Sequence, residues 1–400
     1  MGRFLLRFSQ CLVSGLFVLS GLIKLNDPLG FSYKLTEYFH VFGWDVSDSL
    51  SLFLGISVCV LEVVCGVMLF LGFKLKRVTW LLLMTMIFFT LLTGITYFSG
   101  YVNPAFYQPD LRAAEEAAGQ SPSFFQPFNE ANQLVSDCGC FGDALKLSPK
   151  VSFWKDVVLL LLIIFLLVHH REISPLTTPK RSRWITGMAA VFSVLLSTFT
   201  LRYLPIIDFR PFKAGNHLPD LMKIPEGAPT DSFELIFVYK NLQSGEVKEF
   251  SMDALPSKGW EFVDRKDRKV REGYRPPVHD FVATDSAGND RTAEILNEAN
   301  VLLIISSDLS KLNGSDFQPF EAFASLRSKG FKVFVWTSGL PSDVERIQSQ
   351  THLPYEWLTG DRTLLKTIVR SNPGLTYLRK GTVVKHWSSA HLPKNEDLIP

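Results

Sequence analysis

Five long apolar runs dominate the first half of this 400-residue chain. A helix needs roughly 20 mostly apolar residues to cross the hydrocarbon core of a membrane. The runs lack the polar stripe that a buried helix of a soluble domain would show. They cover about residues 5–25, 50–72, 78–98, 153–168 and 184–204. The sequence therefore predicts an α-helical membrane bundle with five spans.

The three clusters of basic residues that flank these runs all fall on one side of the membrane if there are five spans. Arginines precede the first run, and clusters of Lys, Arg and His fill the connections at 74–77 and 169–183. Because basic loops stay in the cytoplasm, we expect a cytoplasmic N-terminus. The loops 26–49 and 99–152, and everything after about residue 206, then lie on the opposite side. A cleavable signal peptide is the competing interpretation of the first run, which is long for one and has no A-x-A-like site after it.

Composition excludes some classes of partner. The formal net charge is only +2, and no basic patch is interleaved with aromatic residues, so no nucleic-acid partner is predicted. The chain has five cysteines, which is too few for a disulfide scaffold. The lipid bilayer is the one partner that composition demands.

Among the charged residues of the apolar runs, Glu62 and Lys24 are candidates for a site. Glu62 lies near the centre of the second run, and Cys59 and Cys65 can share its helix face. A carboxylate is costly at that depth, so we expect it to face the bundle interior and to have a partner. It serves either a proton or quinone site or a structural hydrogen bond between helices. Lys24 ends the first run; it either snorkels to the interface or supports the same chemistry.

Two shorter elements are predicted between the runs. Residues 31–39 have apolar and aromatic side chains at helical spacing, which indicates an interfacial helix. Residues 110–120 are rich in Ala and Glu and predict a short helix, in a loop that would cover the mouth of the bundle.

The loop before the fourth run contains the sequence DCGCFGD, residues 137–143. Cys138 and Cys140 are one residue apart and outside the cytoplasm, which suggests a thiol–disulfide pair. Gly139 lets the backbone turn between them, and a disulfide in so small a loop is strained and easily reduced. Exchange chemistry is therefore the first interpretation. An inert structural disulfide is the second, and a zinc site, which lacks further ligands nearby, is the third.

These features resemble the DoxX/MauE-like family of small four-helix membrane proteins. The resemblance covers about residues 1–170. It rests on the pattern SG-x-x-K-x-x-DP-x-G at the end of the first run, the acidic residue of the second run and the CGCFGD loop. It implies a four-helix membrane domain over 1–170 with thiol or electron-transfer chemistry. MauE proteins are implied in maturing methylamine dehydrogenase, and DoxX proteins in thiosulfate:quinone oxidoreduction. The fifth run departs from this pattern, so 171–206 is predicted to be a cytoplasmic loop followed by a tethering span.

The remainder of the chain is rich in charged and turn residues. Residues 207–275 are predicted to form a small β-rich segment outside the cytoplasm. Short apolar stretches at 233–239 and 246–250 flank a turn and predict a β-hairpin, and a further strand is predicted at 260–263. The dense charge run at 265–271 is predicted to be a solvated loop or edge.

Residues 276–400 are predicted to form an α/β domain. Buried strands at 301–306 and 331–336 are each followed by a helix, and a hairpin closes the domain. This order, the P-x-H-DF opening and the NPGL ending resemble a thioredoxin-like domain of the TlpA type. The resemblance implies a cis-proline before the final hairpin. Pro373 matches that position, and the groove beside it would bind a peptide or a partner.

The cysteines that such domains use are missing. The family's CxxC follows the first buried strand, where this chain reads Ser307-Asp308-Leu309-Ser310. Without a thiolate there is no dithiol exchange, so this is a degenerate thioredoxin-like module. His279, His386 and His391 show no spacing typical of a metal site or a triad and are expected to be ordinary surface or structural residues.

Two functional hypotheses follow, and whether the protein is an enzyme stays open between them. In the first, it is a thiol or quinone oxidoreductase accessory of the bacterial inner membrane that helps to mature thiol-containing periplasmic proteins. Cys138 and Cys140 would cycle, Glu62 and Lys24 would support proton movement or a bound quinone, and the periplasmic C-terminal domain would recruit clients. In the second, it is a non-enzymatic envelope scaffold or assembly factor. A transporter fits less well, because there is one buried carboxylate and no inverted repeat.

Overall fold

The computed structural model describes residues 2–107, 112, 123–135, 137–256, 258–271 and 273–399. The short helix predicted over 110–120 falls, apart from residue 112, outside the described residues.

Five of the described helices are long and apolar enough to cross a membrane, which confirms the five predicted spans. The spanning helices are α1 (Gly2–Asn26), α3 (Asp48–Leu71), α4 (Leu75–Ser99), α5 (Pro149–Val168) and α6 (Pro179–Tyr203), and α2 (Pro28–Val41) joins α1 to α3. The predicted interfacial helix is thus α2, and its N-terminus is capped by Asp27, whose carboxylate accepts from the Gly30 amide at 2.9 Å.

Glycines bring α1 and α3 into close contact. A methyl group on Gly21 would lie 2.8 Å from the carbonyl oxygen of Cys59, and one on Gly66 would lie 2.9 Å from that of Ser14. Small residues let backbones approach in lipid, where close packing drives helix association. The contact sets Lys24, one turn beyond Gly21, against the face of α3 that carries Glu62.

The fifth span packs against the bundle rather than standing apart from it. Ser193, Ser197 and Thr200 of α6 are buried, and the Thr200 hydroxyl donates to the carbonyl oxygen of Leu25 at 3.0 Å. Helix α6 therefore has a packing role besides the predicted tether.

The β-rich segment is a three-stranded antiparallel sheet in the order β2-β1-β3. Its strands are β1 (Ser232–Asn241), β2 (Val247–Ser251) and β3 (Trp260–Arg271). The predicted hairpin is confirmed. The third strand is longer than predicted, because the charge run at 265–271 continues it. This strand lies at the edge of the sheet, where charged residues are common.

The C-terminal domain is built on a five-stranded sheet in the order β6-β5-β4-β7-β8. Strands β4, β5 and β6 are parallel, and β7 and β8 are antiparallel to their neighbours. The strands are β4 (Val301–Ser306), β5 (Lys332–Thr337), β6 (Glu356–Thr359), β7 (Gly374–Arg379) and β8 (Thr382–Ser388). The helices are α7 (Leu218–Leu221), α8 (Thr292–Asn297), α9 (Gly314–Phe317), α10 (Pro341–Gln350) and α11 (Arg362–Ile368). A 3-10 helix, Gln318–Lys329, takes the place of most of the helix expected after β4. This is a thioredoxin-like arrangement.

The Asn372–Pro373 peptide bond, directly before β7, is cis, as the thioredoxin resemblance predicted. Packing also brings an earlier segment into this domain. Leu204, Phe212 and Leu218 belong to the same buried cluster as the sheet residues Val301 and Trp336. The three-stranded sheet is therefore inserted into the thioredoxin-like fold.

His386 joins that earlier segment to β8. Its Nε2 lies 2.7 Å from the carbonyl oxygen of Phe212 and its Nδ1 lies 2.8 Å from the Thr376 hydroxyl. A neutral imidazole satisfies both contacts. Burial, and secondly the nearby Arg210, lower the pKa of His386 to about 4.

This environment makes the stability of the fold depend on pH. The unfolded chain protonates His386 near its ordinary pKa of about 6.5, whereas the folded chain resists protonation. The stabilisation is present above pH 6.5 and is lost as pH falls toward 4, by up to about 3 kcal/mol. Thermal unfolding of the detergent-purified protein between pH 7.5 and 4.5 should show this loss, and His386→Gln should show a smaller one. Equal pH dependence in the two proteins would exclude His386 as the cause.

Candidate thiol site in the membrane bundle

A small cavity of about 40 Å³ lies inside the bundle, and most of the predicted site residues line it. Its polar lining consists of Ser20, Lys24, Glu62, Cys138, Cys140, Lys155 and Asp156. Four spanning helices (α1, α3, α4 and α5) and the loop before α5 meet here, so residues far apart in the chain form one site.

Lys24 and Glu62 form a buried ion pair. The Nζ atom of Lys24 lies 2.6 Å from Oε1 of Glu62, and the two side chains are 2% and 4% exposed. The ammonium also lies 4.7 Å from the centre of the Phe31 ring. Glu62 thus faces the interior with a partner, as expected, and Lys24 does not snorkel to the interface. In a low dielectric each charge is tolerable only because of the other.

Sequence reasoning missed a second pair, at the start of α5. Nζ of Lys155 lies 2.5 Å from Oδ1 of Asp156, and the Thr93 hydroxyl donates to the other carboxylate oxygen at 3.1 Å. The signal was available in the sequence, because Lys-Asp directly precedes an uninterrupted apolar run. The two charges fall inside the run predicted at 153–168, near its start, and were assigned no role.

The loop 137–143 inserts both thiols into the bundle. Gly139 and Gly142 have φ of +63° and +51°, a backbone conformation that glycine adopts without strain. The Ser20 hydroxyl lies 2.9 Å from the carbonyl oxygen of Cys140 and holds the loop against α1. Cys138 is 8% exposed, and both sulfurs are free thiols.

Burial controls the reactivity of these thiols. It raises the pKa of Cys138, and it raises the pKa of Cys140 to about 12. The charges of Lys155 and Lys24 oppose that effect at Cys140 but are outweighed. In this conformation the pair is a protonated dithiol, and the thiolate is the form that attacks disulfides.

A larger chamber lies on the other side of the same loop. It has a volume of about 730 Å³. Gly139, Gly142 and Asp143 line it from the membrane domain, and Lys366 and Arg370 line it from the thioredoxin-like domain. The loop is therefore a partition with the thiols on its inner side and the chamber on its outer side.

The remaining predicted residues lie elsewhere. Cys59 and Cys65 are buried on the inner face of α3, as their spacing indicated. Pro373 is buried, and the Asn372 amide beside it donates to the carbonyl oxygen of Asp308 at 2.7 Å. That bond bridges the cis-proline loop to the position of the missing CxxC. The peptide-binding role of this groove remains a prediction.

A bound quinone remains a prediction, and the inner cavity as it stands is smaller than the usual site for an organic ligand. Pockets for small organic ligands hold roughly 300–1,000 Å³, whereas about 40 Å³ accommodates water. Within the described residues no group of three or more His, Cys, Asp or Glu side chains comes together to hold a metal ion.

The fold and the site define a class: a multi-pass membrane protein with a buried dithiol loop, carrying a thioredoxin-like domain without cysteines. One comparison with known proteins bears on the membrane part of this description. Residues 2–104 match the family model of methylamine utilisation protein MauE, and residues 233–272 match a domain family of unknown function, DUF8463. The N-terminal part of the chain is thus similar to MauE proteins.

Among the solved structures that match part of the chain is a protein from Chlorobium tepidum described as thiol:disulfide interchange protein DsbE. The match has 14% identity and covers 27% of this chain and 80% of that chain, with a TM-score of 0.23. So low a score carries no weight here, and the thioredoxin-like fold follows from the strand order and the cis-proline. No curated protein matches the chain.

The Lys24–Glu62 pair generates a stability prediction. Lys24→Met or Glu62→Gln each leaves one partner buried and unpaired, which should destabilise the protein by about 3–5 kcal/mol. The double variant Lys24→Met/Glu62→Leu removes both charges and should lose less stability than either single variant. Thermal unfolding in detergent ranks the stabilities of the three variants.

Lys146→Met is the matched control, because its exposed pair with Asp143, 3.8 Å apart, should contribute no more than about 1 kcal/mol. A double variant less stable than both single variants would contradict the pairing argument.

Proposed function

We propose that this protein is a membrane-bound accessory for thiol–disulfide exchange on proteins outside the cytoplasm, with Cys138 and Cys140 as the exchanging pair. The observation that carries the proposal is the convergence of two thiols and two ion pairs, one of them fully buried, on one cavity. The MauE similarity covers residues 2–104, which include Lys24 and Glu62 but not the two thiols, so it supports the membrane part of the proposal. We extend the proposal to the maturation of envelope proteins.

The proposed chemistry needs only the two thiols and a client disulfide. One sulfur of the pair, as thiolate, attacks a client disulfide; the client S–S bond breaks and a mixed disulfide forms. The second sulfur then attacks the mixed disulfide and releases the client as a dithiol. The client gains two electrons and the two thiol protons, and the pair ends as the Cys138–Cys140 disulfide. The reverse sequence oxidises a client.

The ion pairs supply the electrostatics for this step. Burial, and to a smaller degree the charge of Asp156, keeps the Cys140 proton in place, whereas Lys155 and Lys24 favour its loss. Exposure of the loop to water removes the burial and leaves the cations close by, so the pKa of the thiol should fall toward its ordinary range. Glu62 keeps Lys24 charged and in position.

The proposal includes a place in the cell. Basic residues on one side of the spans support a bacterial inner-membrane protein whose N-terminus is cytoplasmic and whose C-terminal domain is periplasmic. Reporter fusions after residue 146 and after residue 399 should both report a location outside the cytoplasm, and a fusion after residue 75 should report the cytoplasm. Opposite locations for the first two would refute the arrangement.

Thiol trapping tests the chemistry. Acid quenching of cells followed by alkylation should show Cys138 and Cys140 shifting between dithiol and disulfide under reductant and oxidant. With Cys140→Ser or Cys138→Ser, the remaining thiol cannot be resolved and should accumulate a mixed disulfide with a client, detectable by mass spectrometry. Cys11→Ser is the control, because Cys11 is exposed on α1 and should leave the pattern unchanged. One fixed oxidation state under both conditions, with no mixed disulfide, would end the proposal.

A second candidate is a non-enzymatic envelope scaffold. The observation that favours it is the same burial, since protonated, shielded thiols suit a structural role and the thioredoxin-like domain has no cysteine of its own. In that case variants of Cys138 and Cys140 form no mixed disulfide, and the soluble domain retains a stable partner when either cysteine is replaced.

A further inference from the structure

We propose that Arg370 is a positioning residue that latches the dithiol loop shut, so that the thioredoxin-like domain controls access to Cys138 and Cys140. The inference rests on the proposed function for its purpose, but the contact and its effect on access are independent of any client.

Arg370 joins the two domains through a buried guanidinium. The side chain is 6% exposed and reaches two elements of the membrane domain. Its Nε lies 2.8 Å from Oδ2 of Asp27, and its Nη2 lies 3.0 Å from Oδ2 of Asp143. Its Nη1 donates to the carbonyl oxygen of Lys366 at 2.5 Å, which anchors it to α11. The planar fork of arginine suits such a site, since it carries several donors in fixed directions.

The two carboxylates occupy informative positions. Asp27 caps the N-terminus of α2, and Asp143 ends the loop that holds the two thiols. Arg370 itself is followed by Ser371, Asn372 and the cis-proline Pro373. One side chain therefore ties the cis-proline loop of the soluble domain to the dithiol loop of the membrane domain.

Further contacts hold the edge of the soluble domain that carries the cis-proline loop against the membrane domain. Nζ of Lys311 lies 2.5 Å from the Asp48 carboxylate, and Nζ of Lys366 lies 4.3 Å from the centre of the Tyr33 ring. Lys311 directly follows the Ser307–Ser310 segment that replaces the CxxC. The edge that faces thiol partners in active thioredoxin-like domains is here turned toward this chain's own dithiol loop.

The consequence is a closed state. The thiols lie on the inner side of the loop, so a client in the chamber reaches them only when the loop moves outward. Gly139 and Gly142 provide backbone freedom for that movement, whereas Arg370 opposes it by holding Asp143. Lifting the soluble domain breaks the contact and frees the loop.

Labelling of the pre-reduced full-length protein in membranes tests the latch. A water-soluble maleimide is applied, and mass spectrometry reads the modification of each cysteine over time. Arg370→Gln and Asp143→Asn should each accelerate labelling of Cys138 and Cys140 by about tenfold or more. Arg362→Gln is the matched control, because Arg362 begins α11, shortly before Arg370 in the chain, but pairs with Asp308 of its own domain at 2.7 Å, and it should label at the wild-type rate.

Cys59 serves as an internal reporter of folding, since it is completely buried in α3. Acceleration at Cys138 and Cys140 with Cys59 still protected supports the latch. Wild-type rates in both Arg370→Gln and Asp143→Asn overturn it, as does equal acceleration in Arg362→Gln. Should Arg370→Gln expose Cys59 as well, Asp143→Asn decides by the same criterion. No client or redox activity enters this measurement, so failure of the latch leaves the thiol-exchange proposal standing, and the reverse also holds.

Discussion

The ion pair between Lys24 and Glu62 is the contact around which the membrane domain is organised. Neither charge is tolerable alone in a bundle surrounded by lipid, so α1 and α3 must meet in one register. Gly21 makes the approach close enough. The loop with the two thiols then packs over this pair, held by the Ser20 hydroxyl on Cys140. A polar, water-sized cavity inside an apolar bundle is the result.

Burial and charge act in opposite directions on the thiols, and this opposition explains why access matters. Inside the bundle, burial dominates and both sulfurs keep their protons. Once water enters and the effect of burial is lost, the neighbouring lysines favour loss of the proton from Cys140. A dithiol that is inert when covered and more acidic when uncovered is protected from side reactions, and the covering domain becomes part of the chemistry. The thioredoxin-like module has no cysteine of its own but has a cis-proline loop. Arg370 lies directly before this loop and attaches it to the membrane domain through Asp27 and Asp143.

Much of the fold was predictable because its causes are local in sequence. The five spans follow from the length and apolarity of each run, and the final hairpin follows from its strand and turn residues. The cis-proline followed from family resemblance at Pro373. The domain limits were harder to place, because Phe212 and Leu218 pack with strands that come much later in the chain. The candidate site was predictable in part: Cys138, Cys140, Glu62 and Lys24 were named, whereas the Lys155–Asp156 pair was not.

The sequence by itself determined that the chain crosses a membrane, that its two paired cysteines lie in one loop, and that its last domain has no dithiol. These properties depend on residue type and on spacing along the chain. Only the tertiary structure decided which charges meet, which way the thiols face, and that Arg370 reaches both Asp27 and Asp143. Those contacts join residues separated by up to 343 positions, and the energy of a charge in a low dielectric depends on what lies within a few ångströms of it, which spacing along the chain does not specify.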